Sequence, residues 1–593
     1  MSKKWFSRAV LLQRWKSCEH CCGVRRIFFC EFFPKKNGIM DNDTILKRNL
    51  LALSSKNTLL SVRAGTAAPS EKVRFIRAKT GDLVPVLKSG GTSQYIHSSI
   101  DPITEGLRFF NINKSGGYLV FIGFGAGYHI IPFLGHKDIT QILIIDKDIS
   151  LFRSVLGSVD LRDFILDPRV NFLIDALPDE ITSYVLGNYF PAITGDLKTL
   201  ALRSRWQNDA GYFESVIESL KNMVSALSDD YTVQAYFGKK WFKNTLVNLS
   251  SAEKATTVLS PVRKAMVTGA GPSLEEHIGL IKKEKKDSIL IATDTSLPAL
   301  LSFDILPDIV ISIDCQHITY HHFLSGIPGH IPLVLDLASP PALTRITDNL
   351  VFFTSRHPFS KFVSSNWREF PVIDVTGGNV SHAAISLADA LGAREILLFG
   401  MDFSYPEGKT YARGTYIYPY FSARTLLVNP LETEFFSFLL RNQNIVKEYE
   451  QDYIRYTTRP MISYRNRLEK AAAGFNGKLV AMTGKGVHLN LPSSGRAASE
   501  RRPFLFAAGK SRESWKGFIR TYNEAIRKLP VPGDPVMEYL LNLSLKERDL
   551  WTTLLPSAAA LKKDLDNNAA GGVEILKMVQ DWTLRIIGEF LSK

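Results

Sequence analysis

Short apolar runs recur along the chain, each stopped by a carboxylate or a glycine turn and followed by residues at helical spacing. Residues 118–122 are wholly apolar and run into Gly123-Phe-Gly125-Ala-Gly127; 141–145 ends at Asp146, and 170–174 at Asp175. Buried-strand runs alternating with helical ones predict a doubly wound α/β unit. A second unit begins near residue 262, with strands predicted at 264–268, 289–293, 309–313, 333–335, 351–353, 372–374 and 396–399. Residues 431–473 read as helical, 478–482 as a last strand entering Thr483-Gly-Lys-Gly486, and everything beyond about 500 as helical. The fold class expected is α/β: two doubly wound Rossmann-like domains, at 40–240 and 241–497, followed by a C-terminal helical region at 498–593.

Composition fits this picture. The chain has 593 residues, 45% of them hydrophobic and 11% aromatic, enough for more than one buried core. No apolar run reaches the roughly 18 residues of a spanning helix, and the basic start lacks a signal-peptide core, so a cytoplasmic protein is expected. Residues 1–39 hold nine Lys and Arg against Glu19 and Glu31, half of the net charge of +14. They also hold four of the five cysteines, Cys18, Cys21, Cys22 and Cys30. Cys18-x2-Cys21 with His20 could form half a zinc site. The competing reading is a basic extension outside the fold, with Met40 opening an amphipathic helix. Without that extension the charge is modest, and no basic and aromatic interleaving of the single-strand-binding kind follows, so no nucleic-acid partner is expected.

The first glycine turn lies between a strand and a helix, with Asp146 at the end of the next strand. Glycines let backbone N–H groups approach a ligand, and such a carboxylate can receive a ribose diol. Gly123, Gly125, Gly127 and Asp146 are therefore one candidate ligand loop, a nucleotide- or methyl-donor-binding edge. The alternative is a tight turn whose glycines serve helix–sheet packing.

The second turn is more informative. Lys264-Ala-Met-Val-Thr runs into Gly269-Ala-Gly271-Pro272-Ser273-Leu274. Pro272 suits a first helical turn, and Ser273 with Glu276 three residues on has capping-box spacing. Free N–H groups there would form an anion site. Asp294 and Asp314 follow the next two strands; Gly377, Gly378 and Asn379 form another glycine turn before His382; Asp402 closes a later strand, with Lys409 just beyond. In an open parallel sheet the C-terminal strand ends gather at one crevice, so these residues are expected to face a common ligand.

This constellation resembles the motility-associated-factor (Maf) flagellin glycosyltransferases, whose central domain is similar to the 6-hydroxymethylpterin diphosphokinase MptE-like proteins. Its Gly-x-Gly-Pro-Ser-Leu turn resembles the cytidine-nucleotide loop of bacterial sialyltransferases. Asn49-Leu-Leu-Ala-Leu is similar to the family's opening helix. Tyr95-Ile-His97-Ser98-Ser99-Ile-Asp101-Pro102, with Glu105 and Arg108, is similar to its His-Ser…Asp-Pro…Glu…Arg segment, and Thr483-Gly-Lys-Gly486 to its late glycine turn. Departures are Cys315 after Asp314, where proline is usual, and Lys485, where glycine is usual. The resemblance implies transfer of a nonulosonic acid of pseudaminic or legionaminic type from a CMP-sugar to Ser or Thr of flagellin, supporting flagellum assembly and motility. Gly269, Gly271, Pro272, Ser273, Asp294, Gly377, Gly378, Asn379 and Asp402 would then hold the donor nucleotide, and Lys409 the sugar carboxylate. His382 and Asp314 are the candidates for the catalytic base. The CMP-sugar enters as substrate; no resident cofactor is implied with certainty. Asp294 and Asp314 could instead hold Mg²⁺ against phosphates, as an ATP-dependent pterin-type diphosphokinase requires. A non-catalytic flagellar assembly factor is the third reading, and the C-terminal helices are expected to dock the acceptor.

Overall fold

The computed structural model describes residues 41–592, apart from 90, 91, 356, 443, 483, 496–505 and 566–570. The cysteine-rich extension and Met40 lie outside the described residues, as does Thr483. The chain divides into two compact units.

The first unit comprises residues up to 234 with 530–545 and 561–578. It opens on helix α1 (Asn42–Ser54), whose N-cap Asp41 accepts from the Thr44 N–H. Asn49 on α1 is fully buried; its amide donates to the Leu156 and Val159 carbonyls and accepts from the Leu161 N–H. Strands β1 (Val73–Arg77), β2 (Leu83–Ser89) and β3 (Thr92–Tyr95) form an antiparallel sheet. Strands β4 (Gly117–Ile122), β5 (Ile139–Asp146), β6 (Val170–Ile174) and β7 (Leu197–Ala201) form a parallel sheet in the order β6-β5-β4-β7. Leu119 and Phe121 enter the core on one face of β4, and Tyr118, Val120 and Ile122 the core on the other. Burial on both faces is why this strand reads as a continuous apolar run rather than an alternation.

The second unit comprises 235–529, 546–560 and 579–593. Its sheet has seven strands, all parallel: β8 (Lys264–Thr268), β9 (Ile289–Thr293), β10 (Ile309–Ser312), β11 (Leu333–Asp336), β12 (Leu350–Phe353), β13 (Glu395–Phe399) and β17 (Lys478–Ala481). The order is β12-β11-β10-β9-β8-β13-β17, so the winding reverses between β8 and β13. A further helix, Val380–Ala390, packs its alanines on one face of this sheet.

Three differences from the sequence reading have physical causes. Residues 372–374 make only an isolated bridge, Thr354 to Val372, because Pro371 supplies no N–H to extend a ladder. Within 431–473 the charged stretch is split: helix Leu431–Leu439, a hairpin of β15 (Val446–Tyr449) and β16 (Ile454–Thr457) joined by β14 (Tyr405–Pro406), then helix Arg459–Ala472. Val446, Tyr449, Ile454 and Tyr456 carry the strand propensity that the surrounding charges masked. The C-terminal helices form no domain of their own. Lys562 donates to the Pro191 carbonyl in the first unit. In the second unit Trp367 donates to the Glu513 carbonyl, stacks near Phe518, and Tyr522 is buried against Thr553. Both units thus take these helices into their cores, so the residues expected as a separate C-terminal region at 498–593 are divided between the two.

Candidate functional site

The reversal between β8 and β13 sets two loops side by side, and backbone hydrogen bonds join them: Gly269 N–H to the Phe399 carbonyl at 2.8 Å and Gly271 N–H to the Gly400 carbonyl at 2.9 Å. Gly271 needs to lack a Cβ, which would collide with the Asp402 carboxylate and the Gly400 carbonyl. The predicted Ser273 cap does not form. Gly271 is the N-cap of a 3₁₀ turn, Pro272–His277, and makes no side-chain cap bond. The Ser273 N–H instead donates to the Asp402 carboxylate at 3.0 Å. The loop after β17 closes over the same group, with the Val487 N–H on the Asp402 carbonyl and Gly486 against its side chain. Burial pushes the Asp402 carboxyl above its usual range, against the opposing hydrogen bonds from Ser273.

Next to this junction, Thr268, Thr293 and Ser296 form a buried hydroxyl cluster, with Thr268 Oγ1 and Ser296 Oγ 2.9 Å apart. Beyond it lies Asp294, 3% exposed, accepting from Ser312 Oγ and the Thr295 N–H, both at 2.7 Å. Desolvation pushes its carboxyl up to about 7, with Asp314 adding like-charge repulsion. Asp314 is half-buried and accepts from the Gln316 N–H.

The sequence alone reads His317, His321 and His322 as a solvated loop, and for one of them the structure differs. His317 and His321 are exposed, but His322 is buried on the same short turn, its ring 4.5 Å from that of Tyr416. Burial pushes it down to about 4, opposed by Asp314. The alternation of exposed and buried positions over a 3₁₀ turn was the available signal, obscured by three histidines in one short loop. Tyr411, likewise unforeseen, is half-buried and feels the charge of Asp294.

The third glycine turn holds the start of helix Val380–Ala390, whose N-cap Asn379 accepts from the His382 N–H at 2.9 Å. Gly377 lies flat against the His382 ring, where a Cβ would collide with it. His382 is 2% exposed, and burial holds its pKa below the usual imidazole range; Asp374 lies 4.0 Å from Nε2. The two candidate bases therefore have different surroundings: His382 faces Asp374 and Phe475, while Asp314 faces Asp294 and His322. Gly269 connects this turn to the first, since a Cβ there would stand 3.3 Å from Ser381 Oγ. Lys409 is engaged by Glu275, at 2.7 and 2.9 Å from its two oxygens, and Glu275 also accepts from the Arg413 N–H.

In the first unit the glycine turn is filled from within. Asp146 accepts from the Phe124 N–H at 2.9 Å and forms a bidentate pair with Arg205, Nη2–Oδ1 2.7 Å and Nε–Oδ2 3.2 Å. Arg205 is 1% exposed, and its side chain lies where a Cβ on Gly123 would point. His97 Nε2 accepts from the Ala126 N–H at 3.0 Å, which sets the ring's proton on Nδ1, 3.4 Å from Glu105. Glu105 in turn accepts from the Ser98 N–H, and Asp101 caps the following helix through Thr104. The His-Ser…Asp-Pro…Glu segment is thus the brace of this turn. The Asp146 carboxylate considered for ribose binding is engaged in this internal ion pair.

A parallel sheet with its loops gathered at the winding reversal defines a doubly wound α/β protein of the Rossmann type. Residues 239–408 match the family described as 6-hydroxymethylpterin diphosphokinase MptE-like. A Treponema pallidum protein described as uncharacterized is 32% identical over 176 residues, 29% of this chain and 83% of that one. For another protein of the same organism, 31% identical over 157 residues, the chain spans only 55% of the relative's length. The 6-hydroxymethyl-7,8-dihydropterin pyrophosphokinase of Pyrococcus furiosus is 27% identical over 210 residues, 35% of this chain and 81% of that one. The solved Maf glycosyltransferase of Magnetospirillum magneticum AMB-1 has the same fold over 93% of this chain and 96% of its own, at a TM-score of 0.56 and 16% identity. The chain belongs to one family with the first Treponema protein; it carries an MptE-like domain within the fold of a Maf protein. Among the described residues no helix is long and apolar enough to cross a membrane.

Proposed function

We propose that the protein is a glycosyltransferase that moves an acidic sugar of nonulosonic type from a CMP-sugar to a Ser or Thr hydroxyl of flagellin, in support of flagellum assembly. The observation that carries this reading is the fold shared over 93% of the chain with a Maf glycosyltransferase, which takes in both α/β units. The chemistry of the site is compatible with it. The acceptor oxygen forms the new glycosidic bond as the bond from the sugar to the phosphate breaks, and the hydroxyl proton passes to a base. His382, held neutral by burial, and Asp314 are the candidates for that base. CMP leaves with a full charge on its phosphate, so donors aimed at that charge lower the barrier; losing one such donor costs roughly 10²–10³ in rate.

The second reading is an ATP- and Mg²⁺-dependent diphosphokinase, favoured by the likeness to the Pyrococcus pyrophosphokinase and by the two neighbouring carboxylates Asp294 and Asp314. Calorimetric titration separates the two. CMP binding with ATP silent, followed by a mass increase on flagellin incubated with a CMP-nonulosonic acid, is the expected result. ATP binding that requires Mg²⁺, with CMP silent, overturns it.

A further inference from the structure

Helix α2 (Arg459–Ala472) carries Arg459, Ile462, Ser463, Asn466, Arg467 and Lys470 at offsets 0, 3, 4, 7, 8 and 11. These offsets put all six on one stripe of the helix. The stripe lines a shallow, open groove of about 330 Å³. Its three cations are exposed, and the one carboxylate of the helix, Glu469, is off the stripe and accepts from the Asn490 N–H.

Three other cations of this region are already matched. Lys409 pairs with Glu275, Lys485 with Glu407, and Arg455 with Glu448 and Glu450. The Ser273 N–H, which an anion would otherwise use, holds Asp402. The groove also adjoins the third glycine turn. Arg467 Nη1 lies 3.4 Å from the Thr376 carbonyl, and a Cβ on Gly378 would meet both Arg467 Nη1 and the Tyr464 ring at 3.1 Å.

We propose that this groove is an oxyanion-binding site, in which Arg467, flanked by Arg459 and Lys470, holds the negative charge of the sugar nucleotide beside the Gly377–Gly378 turn. The inference rests on the transferase reading for the identity of the ligand. The stripe spans roughly 16 Å at 1.5 Å per residue, room for an extended nucleotide. The chemistry it recognises is a phosphate or a carboxylate on a planar or tetrahedral centre, which guanidinium groups hold by paired N–H donors.

The test is titration of the full chain and of a Arg459→Gln, Arg467→Gln, Lys470→Gln triple variant with CMP, cytidine and N-acetylneuraminic acid. Arg465→Gln, off the stripe, is the control, and thermal unfolding checks that the exposed substitutions leave the fold intact. The triple variant is expected to bind CMP roughly tenfold or more weakly, the sum of three exposed charge contacts, while the control and cytidine binding are unchanged. Loss confined to N-acetylneuraminic acid assigns the site to the sugar carboxylate instead of the phosphate and equally supports it. Unchanged binding of both anions overturns the groove but leaves the transferase reading standing. Binding of ATP alone, lost in the triple variant, overturns the transferase reading while the oxyanion site stands. Wild-type protein that binds none of these anions overturns the site.

Discussion

The carboxylate of Asp402 accepts a hydrogen bond from the Ser273 amide at 3.0 Å, in the place where a glycine turn of this kind offers its N–H groups to a ligand. An internal anion thus stands where an external one was expected. If Asp402 is the occupant, removing its carboxylate opens the amide to solution anions. Asp402→Ala is expected to gain thermal stability on adding phosphate or sulfate at millimolar levels, by the linkage between binding and unfolding, whereas the wild type gains little. An equal anion response in both proteins would show that the Ser273 amide was already open.

Arg205 and Asp146 make the corresponding prediction for the first unit. Both are buried, and removal of one partner strands the other charge; breaking a buried pair in this way costs about 3–5 kcal/mol. Arg205→Met is therefore expected to destabilise the protein strongly in urea unfolding, and Arg205→Met with Asp146→Asn much less than the two single effects together. S-adenosylmethionine should leave the melting temperature of the wild type unchanged, since the guanidinium fills the turn.

Strands were legible where their residues are mostly apolar and at least one face is fully buried. The bounds 170–174, 264–268 and 289–293 follow directly from apolar runs and match the observed strands. The β15–β16 hairpin was not, because the charges of Lys447, Glu448, Arg455 and their partners outweigh the apolar positions between them. The positions of Gly269, Gly271 and Asp402 at one junction follow from the sheet rule. What fills that junction does not. Ser273–Asp402 and Asp146–Arg205 join residues 129 and 59 positions apart, and no local pattern reports on such pairs. His322 stayed hidden for a related reason: its burial depends on Tyr416, contributed by a distant loop.

Asp294 gives the second unit a pH dependence whose sign is fixed by the raised pKa. A carboxyl held at about 7 in the fold and near 3.8 when unfolded favours folding most while both states are protonated. Its contribution is full below the unfolded value and is lost as pH rises through about 7. Unfolding free energy is expected to fall by a few kcal/mol between pH 4 and pH 8 on account of this residue. Asp294→Asn, which keeps an acceptor for Ser312 without the charge, should flatten that part of the profile. A wild-type profile with no greater fall than the variant's would place the carboxyl in the ordinary range.

Gly125 and Gly81 provide a matched pair for deciding whether the first glycine turn has room for a ligand. Both hold positive φ, +58° and +90°, so an alanine at either position meets backbone strain of about 1–2 kcal/mol. They differ in their surroundings. A Cβ at Gly81 finds nothing within 4 Å, whereas one at Gly125 would stand 2.5 Å from His97 Nε2 and 2.9 Å from both Ile96 and Leu202. His97 cannot retreat without releasing the Ala126 N–H and its own contact with Glu105. Gly81→Ala is therefore expected to cost only the strain, and Gly125→Ala that strain plus overpacking of about 1–3 kcal/mol. The urea midpoints of the two variants measure the difference. Equal midpoints would mean that the turn yields space readily, and the packed brace of His97, Arg205 and Asp146 would then be a closed state of a ligand loop rather than a fixed core.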